Sequence, residues 1–501
     1  MTFAAELAAV RADEIALRDT AHSWTWAQAD SALRPLVNAL LAHDFRPRRR
    51  VAVYAENSGQ TLLHYAAATL AGTSAIAVNF HLTPFEAAFV LQDGEADLVL
   101  VDDATAERGR QAADVAGIRL VVGGSGLVPG VVPLAEWLAD SGDAEPTTSI
   151  RPLPTLVYTS GTTGRPKGVE LPPTSWVGGD DVREHVAHLS KNHLVSHGRH
   201  LVVGPMYHSG PLTGTRLFLG GAPITVLGRF DAQRLLEVVQ RDRVASTIVV
   251  PTHLQRLLAL PERMRMSYDV SSLRFVLQVG AKCPEPVKRA AIEWLGDVLH
   301  ESYGASEVGT TCMISAEEWL QRPGSVGRAV PPFEAMVLDE DDRPVPPGVQ
   351  GRLFFRDTTG HGVRYVSGDS DDRTQEAGLF TLGEVGVMDD EGFVWITDRA
   401  SDMVVSGGVN IYPAEAEQVL GRHPQIAEVA CVGVPDDEMG EQLVALVVPA
   451  DREEPPDPED VVSWCRDRLT HYKCPRRVEI VDQLLRTGVG KIDKRRIRAG
   501  L

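Results

Sequence analysis

The chain of 501 residues lacks the features that would tie it to the cell exterior, a membrane or nucleic acid. Its five cysteines (Cys283, Cys312, Cys431, Cys465, Cys474) are scattered and form no Cys-x-x-Cys pair. Reduced, mostly buried thiols in a cytoplasmic protein are the simplest account of them. No apolar run approaches the ~18 residues of a membrane span. The N-terminal Met-Thr-Phe-Ala-Ala-Glu has neither the basic start nor the apolar core of a signal peptide. Positive charge is scarce, with 49 Lys and Arg against 68 Asp and Glu, a net charge of −19. Such an acidic surface argues against non-specific binding to nucleic acid or anionic membrane, so an anionic ligand needs a local basic site. There is no internal repeat and no low-complexity tract. A 44% hydrophobic and 23% charged composition describes an ordinary globular protein long enough for two to four domains.

A Walker A loop is also missing, because no register supplies Gly-Lys-Ser/Thr five residues after a first glycine. What stands in its place is Thr155-Leu-Val-Tyr-Thr-Ser-Gly-Thr-Thr-Gly-Arg-Pro-Lys-Gly168. Apolar and aromatic residues lead into a turn from Thr159 to Gly164, with Lys167 just beyond. Glycines 161, 164 and 168 let the backbone take positive φ and present its N–H groups at close range. A nest of amides beside Thr159, Ser160, Thr162 and Thr163 suits the oxygens of a polyphosphate. The loop points to nucleotide chemistry of another kind.

Around it, helical stretches alternate with short Val- and Leu-rich runs. Trp26–His43, Thr61–Leu70 and Pro84–Gln92 read as helices; Arg50–Tyr54, Ser74–Val78 and Leu98–Asp102 read as strands. The alternation resumes over 200–300, which indicates parallel α/β units. From about 324 to 398, Pro-Pro, Asp-Asp and Gly turns separate short strands, which predicts a small antiparallel β subdomain. An α/β pattern returns for the last hundred residues. The expected fold is α/β: a large N-terminal domain (1–399) of two α/β subdomains plus the β subdomain, and a small mobile C-terminal α/β domain (400–501).

Further motifs follow in order. Pro205-Met-Tyr-His-Ser-Gly-Pro211 carries His208, and Glu301-Ser-Tyr-Gly-Ala-Ser-Glu307 ends in an acidic residue. Phe380-Thr-Leu-Gly-Glu384 and Thr397-Asp-Arg399 precede the glycine turn of Ser406-Gly-Gly-Val. Arg486-Thr-Gly-Val-Gly-Lys491 lies near the end. Taken singly, His208 reads as a core histidine, Glu307 as a solvated loop carboxylate and Lys491 as one basic residue of an arginine-rich tail. As an ordered set over the whole chain, they resemble the ANL superfamily of adenylate-forming enzymes, nearest the acyl-CoA synthetase branch.

The resemblance implies roles. The residues Thr159, Ser160, Gly161, Thr162, Thr163, Gly164 and Lys167 would hold the β- and γ-phosphates of ATP. His208 would lie beside the bound carboxylate. Gly280, Ala281 and Lys282 would line the adenine and acyl pocket. Ser302, Tyr303 and Gly304 would border adenine, Ser306 would contact phosphate, and Glu307 with Thr162 would bind Mg²⁺, a hard cation suited to oxygen ligands. Glu384 and Arg399 would hold the ribose, and Gly407 and Gly408 would serve a second half-reaction. Lys491 would be the catalytic cation at the α-phosphate, where charge builds as pyrophosphate leaves.

Four positions depart from the family pattern. Glu384 stands for the usual Asp, Ser401 for Asp or Lys at the pivot, and Leu485 for a proline. Lys282 stands in a stretch that is otherwise small and apolar. Lys282 either snorkels to solvent or gives the pocket an anion-binding point. Histidines 185, 188, 193, 197 and 200 read as a partly exposed histidine-rich helix rather than a zinc site.

The implied activity is ATP-dependent adenylation of a carboxylic acid, followed by transfer to coenzyme A as the C-terminal domain turns. An alternative keeps the adenylation, of a carboxylate or a small oxyanion such as nitrite, and passes the group to an amine. A catalytically silent nucleotide-binding protein would have lost Glu307 or Lys491, and both are present. A monomer or homodimer is expected.

Overall fold

The computed structural model describes residues 3–501 except 148, 160–165, 177, 340, 362, 364–373, 377, 400–402, 486–491 and 493. Local sequence fixes many of the element ends. Helix Trp26–Ala42 starts at a capping box, in which the Thr25 hydroxyl accepts from Gln28 N–H and the Gln28 side chain accepts from Thr25 N–H. Helix Pro84–Asp93 has the same device in Thr83 and Glu86, with proline at its first position. The Val- and Leu-rich strands Arg50–Tyr54, Ser74–Ala77 and Leu98–Val101 are buried along their whole length, as expected for parallel strands covered on both faces.

Three sheets organise the described residues. The first has six strands, in the order Leu120–Gly123, Leu98–Val101, Arg50–Tyr54, Ser74–Ala77, Leu156–Thr159, Lys167–Glu170. Five run parallel, and the last returns antiparallel as the second arm of the phosphate-loop hairpin. The second sheet has 15 strands. Its parallel part joins Ile224–Val226, His200–Val202, Ser246–Val249, Phe275–Gln278 and Leu299–Ala305. At Leu299–Ala305 the pairing changes hand, because the next strand, Gly309–Ser315, runs antiparallel to it. The β-rich stretch is antiparallel, as its turns predict. It is not a sheet of its own, however: Ser325–Ala329 pairs with Gly309–Ser315 and carries the large sheet onward through Phe393–Arg399 and Glu384–Met388. The third sheet, of five strands, gathers Val404–Ser406, Val409–Ile411, Ile426–Asp436, Gly440–Pro449 and Arg477–Ile480. The boundary expected at 399/400 adjoins residues outside those described.

The third sheet's unit is tied to the first by polar contacts. Lys473 Nζ lies 2.8 Å from Glu415 Oε2 and 3.4 Å from Glu86 Oε1. The Thr470 hydroxyl donates to Glu86 Oε2 at 2.9 Å, and Asn79 Nδ2 donates to the Tyr472 hydroxyl at 2.8 Å. Lys473 and Glu415 are buried, and the Glu415 and Glu86 carboxylates hold the Lys473 pKa above its ordinary value against the pull of burial.

All five cysteines are buried. The histidine run is not one helix. It is divided between helix Val182–Leu189, helix His193–His197 and the strand beginning at His200, with His185 and His200 buried. Among the described residues no helix is long and apolar enough to cross a membrane.

Burial lowers the pKa of His64, His185, His208 and His253 to about 4 and of His200 to about 3. These five are neutral when folded and charged when unfolded below pH 6.5, so the unfolded chain binds more protons and stability falls as pH drops from 6.5 toward 4. Each contributes up to about 1.4 kcal/mol per pH unit in that window. Burial raises the pKa of Glu301 and Glu415, which act in the opposite sense but are fewer. The melting temperature, followed by calorimetry, should therefore fall between pH 7 and pH 5; a flat profile would contradict the burial of these rings.

Candidate functional site

Most of the candidate residues sit at or just beyond the carboxyl ends of parallel strands, the edge at which open α/β sheets bind ligands. Strand Leu156–Thr159 ends on Thr159, whose hydroxyl donates to Glu307 Oε1 at 3.2 Å. The start of the phosphate loop and the acidic end of the 301–307 motif therefore meet, although 148 residues separate them. Glu307 is buried. Thr159 pairs in register with Lys167 across the hairpin. Ser160, Gly161, Thr162, Thr163 and Gly164 lie outside the described residues, as does Lys491.

His208 follows strand His200–Val202 on a loop fastened from below. Asn57 Nδ2 donates to the Gly204 carbonyl, and Asn57 Oδ1 accepts from Met206 N–H, each at 2.8 Å. The His208 ring packs on Tyr207 at 4.4 Å between centroids, and Tyr207 meets Phe80 edge-on at 5.2 Å. Burial pulls the His208 pKa to about 4, and the charge of His81 acts in the same direction, so the imidazole is neutral at physiological pH. The Ser209 and Ser306 hydroxyls are hydrogen-bonded at 3.1 Å, which joins this loop to the 301–307 motif.

Strand Leu299–Ala305 carries the next group. The Ser302 and Thr310 hydroxyls are 2.9 Å apart. Gly304 is required by close approach: a Cβ there would lie 1.9 Å from the Gly309 carbonyl oxygen. The Tyr303 hydroxyl donates to Glu384 Oε2 at 2.7 Å, a contact the sequence did not announce. One oxygen of the carboxylate expected to grip ribose is thus held by the tyrosine expected beside adenine. Glu384 is buried, and its backbone pairs in register with Arg399, whose side chain is outside the described set.

Gly280 (φ +88°), Ala281 and Lys282 form the turn after strand Phe275–Gln278. Lys282 is exposed, and its side chain reaches solvent. Against this turn comes the glycine turn of the third sheet. Gly407 and Gly408 have φ of +58° and +81°, and a Cβ on Gly408 would meet Val250 Cβ at 3.1 Å. The Gly408 carbonyl oxygen lies 3.7 Å from where a Gly280 Cβ would be. In this pose the Gly407–Gly408 face is presented to the site.

Asn57, Phe80 and Val250 had no signal in the sequence. Each acts through partners more than a hundred residues away, and no local spacing marks them. Of the pair expected to hold Mg²⁺, Thr162 lies outside the described residues, and the Glu307 carboxylate offers the oxygen donors that a hard cation takes, at the start of the phosphate loop.

Comparison with known proteins agrees with this geometry. A family model of AMP-binding enzymes matches residues 4–362, and one of the AMP-binding enzyme C-terminal domain matches residues 415–491. The chain is 31% identical to indoleacetate–CoA ligase of Aromatoleum aromaticum, covering 96% of this chain and 94% of that protein. It is 33% identical to feruloyl-CoA synthase of an Amycolatopsis species, covering 96% and 95%. The structure of the amide bond synthetase McbA from Marinactinospora thermotolerans superposes with a TM-score of 0.86 at 26% identity, covering 100% of both chains. With family models matching across most of its length, and with the phosphate-loop strand and the acidic motif in contact, the chain belongs to the AMP-binding enzymes of the ANL adenylate-forming superfamily.

Proposed function

We propose that this ATP-dependent, AMP-forming ligase activates an aryl-bearing carboxylic acid and transfers it to coenzyme A. The observation that carries the adenylation is the contact of the Thr159 hydroxyl with the Glu307 carboxylate, which sets the phosphate loop against the acidic motif. The names of the two sequence relatives support an aromatic acid, and the packed rings of Phe80, Tyr207 and His208 stand where His208 is expected to meet the carboxylate.

In the first half-reaction a substrate carboxylate oxygen attacks the α-phosphorus of ATP. The bond to the bridging oxygen breaks, and pyrophosphate leaves. The loop from Thr159 to Lys167 holds the departing phosphates, and Lys491 stabilises the charge that builds on the α-phosphate oxygens. Glu307 and Thr162 would hold Mg²⁺, which supplies further charge neutralisation when bound. Neutral His208 sits beside the carboxylate as a hydrogen-bonding group that adds no charge of its own. Glu384, held by the Tyr303 hydroxyl, would face the ribose hydroxyls, and Arg399 would join it there. In the second half-reaction the thiol sulfur attacks the carbonyl carbon of the acyl-adenylate, AMP leaves, and the thiol proton passes to solvent. The residues 1–399 act as the adenylating domain, and 400–501 turn to replace Lys491 with the Gly407–Gly408 face. The pose seen here, with Gly408 against Val250, fits the second half-reaction.

An amine acceptor is the second reading, favoured by the likeness to the amide synthetase.

Pyrophosphate release with a panel of aryl acids tests the first step. It should require ATP and acid together, and Lys491→Ala should lower it by at least ~10²-fold; an unaffected variant would refute the mechanism. Mass spectrometry should find a thioester when coenzyme A is present, whereas an amide formed only with added amine would establish the second reading. The domain contact yields a separate expectation. Glu86→Gln keeps the capping box and removes the charge facing Lys473, so thioester formation should fall several-fold while pyrophosphate release stays within about twofold. Equal loss in both assays would show that the contact does not set the domain pose.

A further inference from the structure

Behind the turn Gly280–Lys282 lies a buried charge cluster in which Glu301, the first residue of the 301–307 motif, meets Lys288 and Gln278, which belong to no motif. Gln278 and Glu301 are register partners on adjacent parallel strands, and helix Glu285–Leu295 covers them with Lys288. Lys288 is 1% exposed; its Nζ lies 3.1 Å from Glu301 Oε2 and 3.2 Å from Gln278 Oε1. Gln278 Nε2 then donates to the Ala281 carbonyl at 2.9 Å. The surroundings are apolar, including Val276, Leu299, Ala291 and Ile292.

An ion pair in such a place is weak evidence for stability, because desolvation of both charges offsets their attraction, and apolar residues of similar volume hold a core as well or better. The geometry shows what the pair does instead. A glutamine amide can face either way, since its oxygen and nitrogen are nearly the same size. Lys288 has only donors to offer, so it requires the Gln278 oxygen. The NH₂ group is thereby forced toward the Ala281 carbonyl, and Glu301 in turn satisfies and fixes Lys288. With the lysine gone, the amide could turn over and set its oxygen against the carbonyl it now anchors.

We propose that Lys288 and Glu301 are positioning residues that lock the Gln278 amide and so hold the Gly280–Lys282 turn at the nucleotide. The inference rests on the reading of that turn as a wall of the ATP site. Two variants of the full-length chain test it, with ATP alone as the probe in titration calorimetry. Gln278→Leu removes the brace and leaves the ion pair in place. Lys288→Met/Glu301→Leu removes both charges together and so leaves neither stranded. Both should melt within a few degrees of the parent yet bind ATP about tenfold more weakly. A purely structural cluster would shift melting and leave ATP affinity alone, so parental ATP affinity in either folded variant overturns the proposal. If the parent chain itself fails to bind ATP, the adenylation reading has failed, and the inference with it.

Discussion

The change of strand direction at Leu299–Ala305 is the constraint on which the site depends. One edge of this strand pairs parallel with Phe275–Gln278, and the other pairs antiparallel with Gly309–Ser315. The parallel edge aligns the carboxyl ends of its neighbours, where the 280–282 turn and the His208 loop emerge. The antiparallel edge folds the chain back at once, and the hairpin so formed places Ser306 against Ser209 and Glu307 against Thr159. Gly304 is the residue that admits this tight return, since the Gly309 carbonyl fills the space of any side chain. A sheet wholly parallel would have sent the strand's end away into a helix, and the acidic motif would not face the phosphate loop.

Much of this was legible in residue order. The α/β alternation, the phosphate-loop strand and the acidic motif are local signals, and the structure places them as their patterns imply. The pairing of strands was less legible. Turn-rich spacing over 324–398 predicts antiparallel strands, but nothing in it says that Ser325–Ala329 will find the free edge of Gly309–Ser315 and extend an existing sheet. The density of histidines over 185–200 suggests one helix, but the chain leaves helix at Ser190–Asn192 and again at Gly198, and only the i,i+4 pair His193 and His197 shares helix His193–His197. Long-range polar partners were invisible. Asn57 serves a loop 149 residues away, and Lys473 meets Glu86 across 387. Such pairs leave no periodicity in sequence, because the distance that matters to them exists only after folding.

The contact between the first and third sheets is made by polar groups around Lys473. An apolar interface would expose its surface to water on opening. The contact at Lys473 is polar, and its groups find water when parted. Lys473 also keeps Glu415, from its own unit, at 2.8 Å, while the facing Glu86 is at 3.4 Å. Were the units to part, the ammonium would retain its nearer partner, so no charge would be stranded in a buried setting. The longer, weaker half of the arrangement is the one that crosses the joint.

Burial of two of the thiols, Cys283 and Cys312, has a consequence for the enzyme's own survival. An acyl-adenylate is an acylating agent, and it does not distinguish the thiol of its intended acceptor from any other thiolate within reach. Cys283 follows the Gly280–Lys282 turn directly, yet it is buried, and burial pushes its pKa, like that of Cys312, up to about 12. The reactive form of these sulfurs is therefore almost absent at neutral pH. Chemical selectivity between host and guest thiols is written into the packing: the mobile sulfur arriving from solvent meets the anhydride, and the resident sulfur beside it is kept chemically mute.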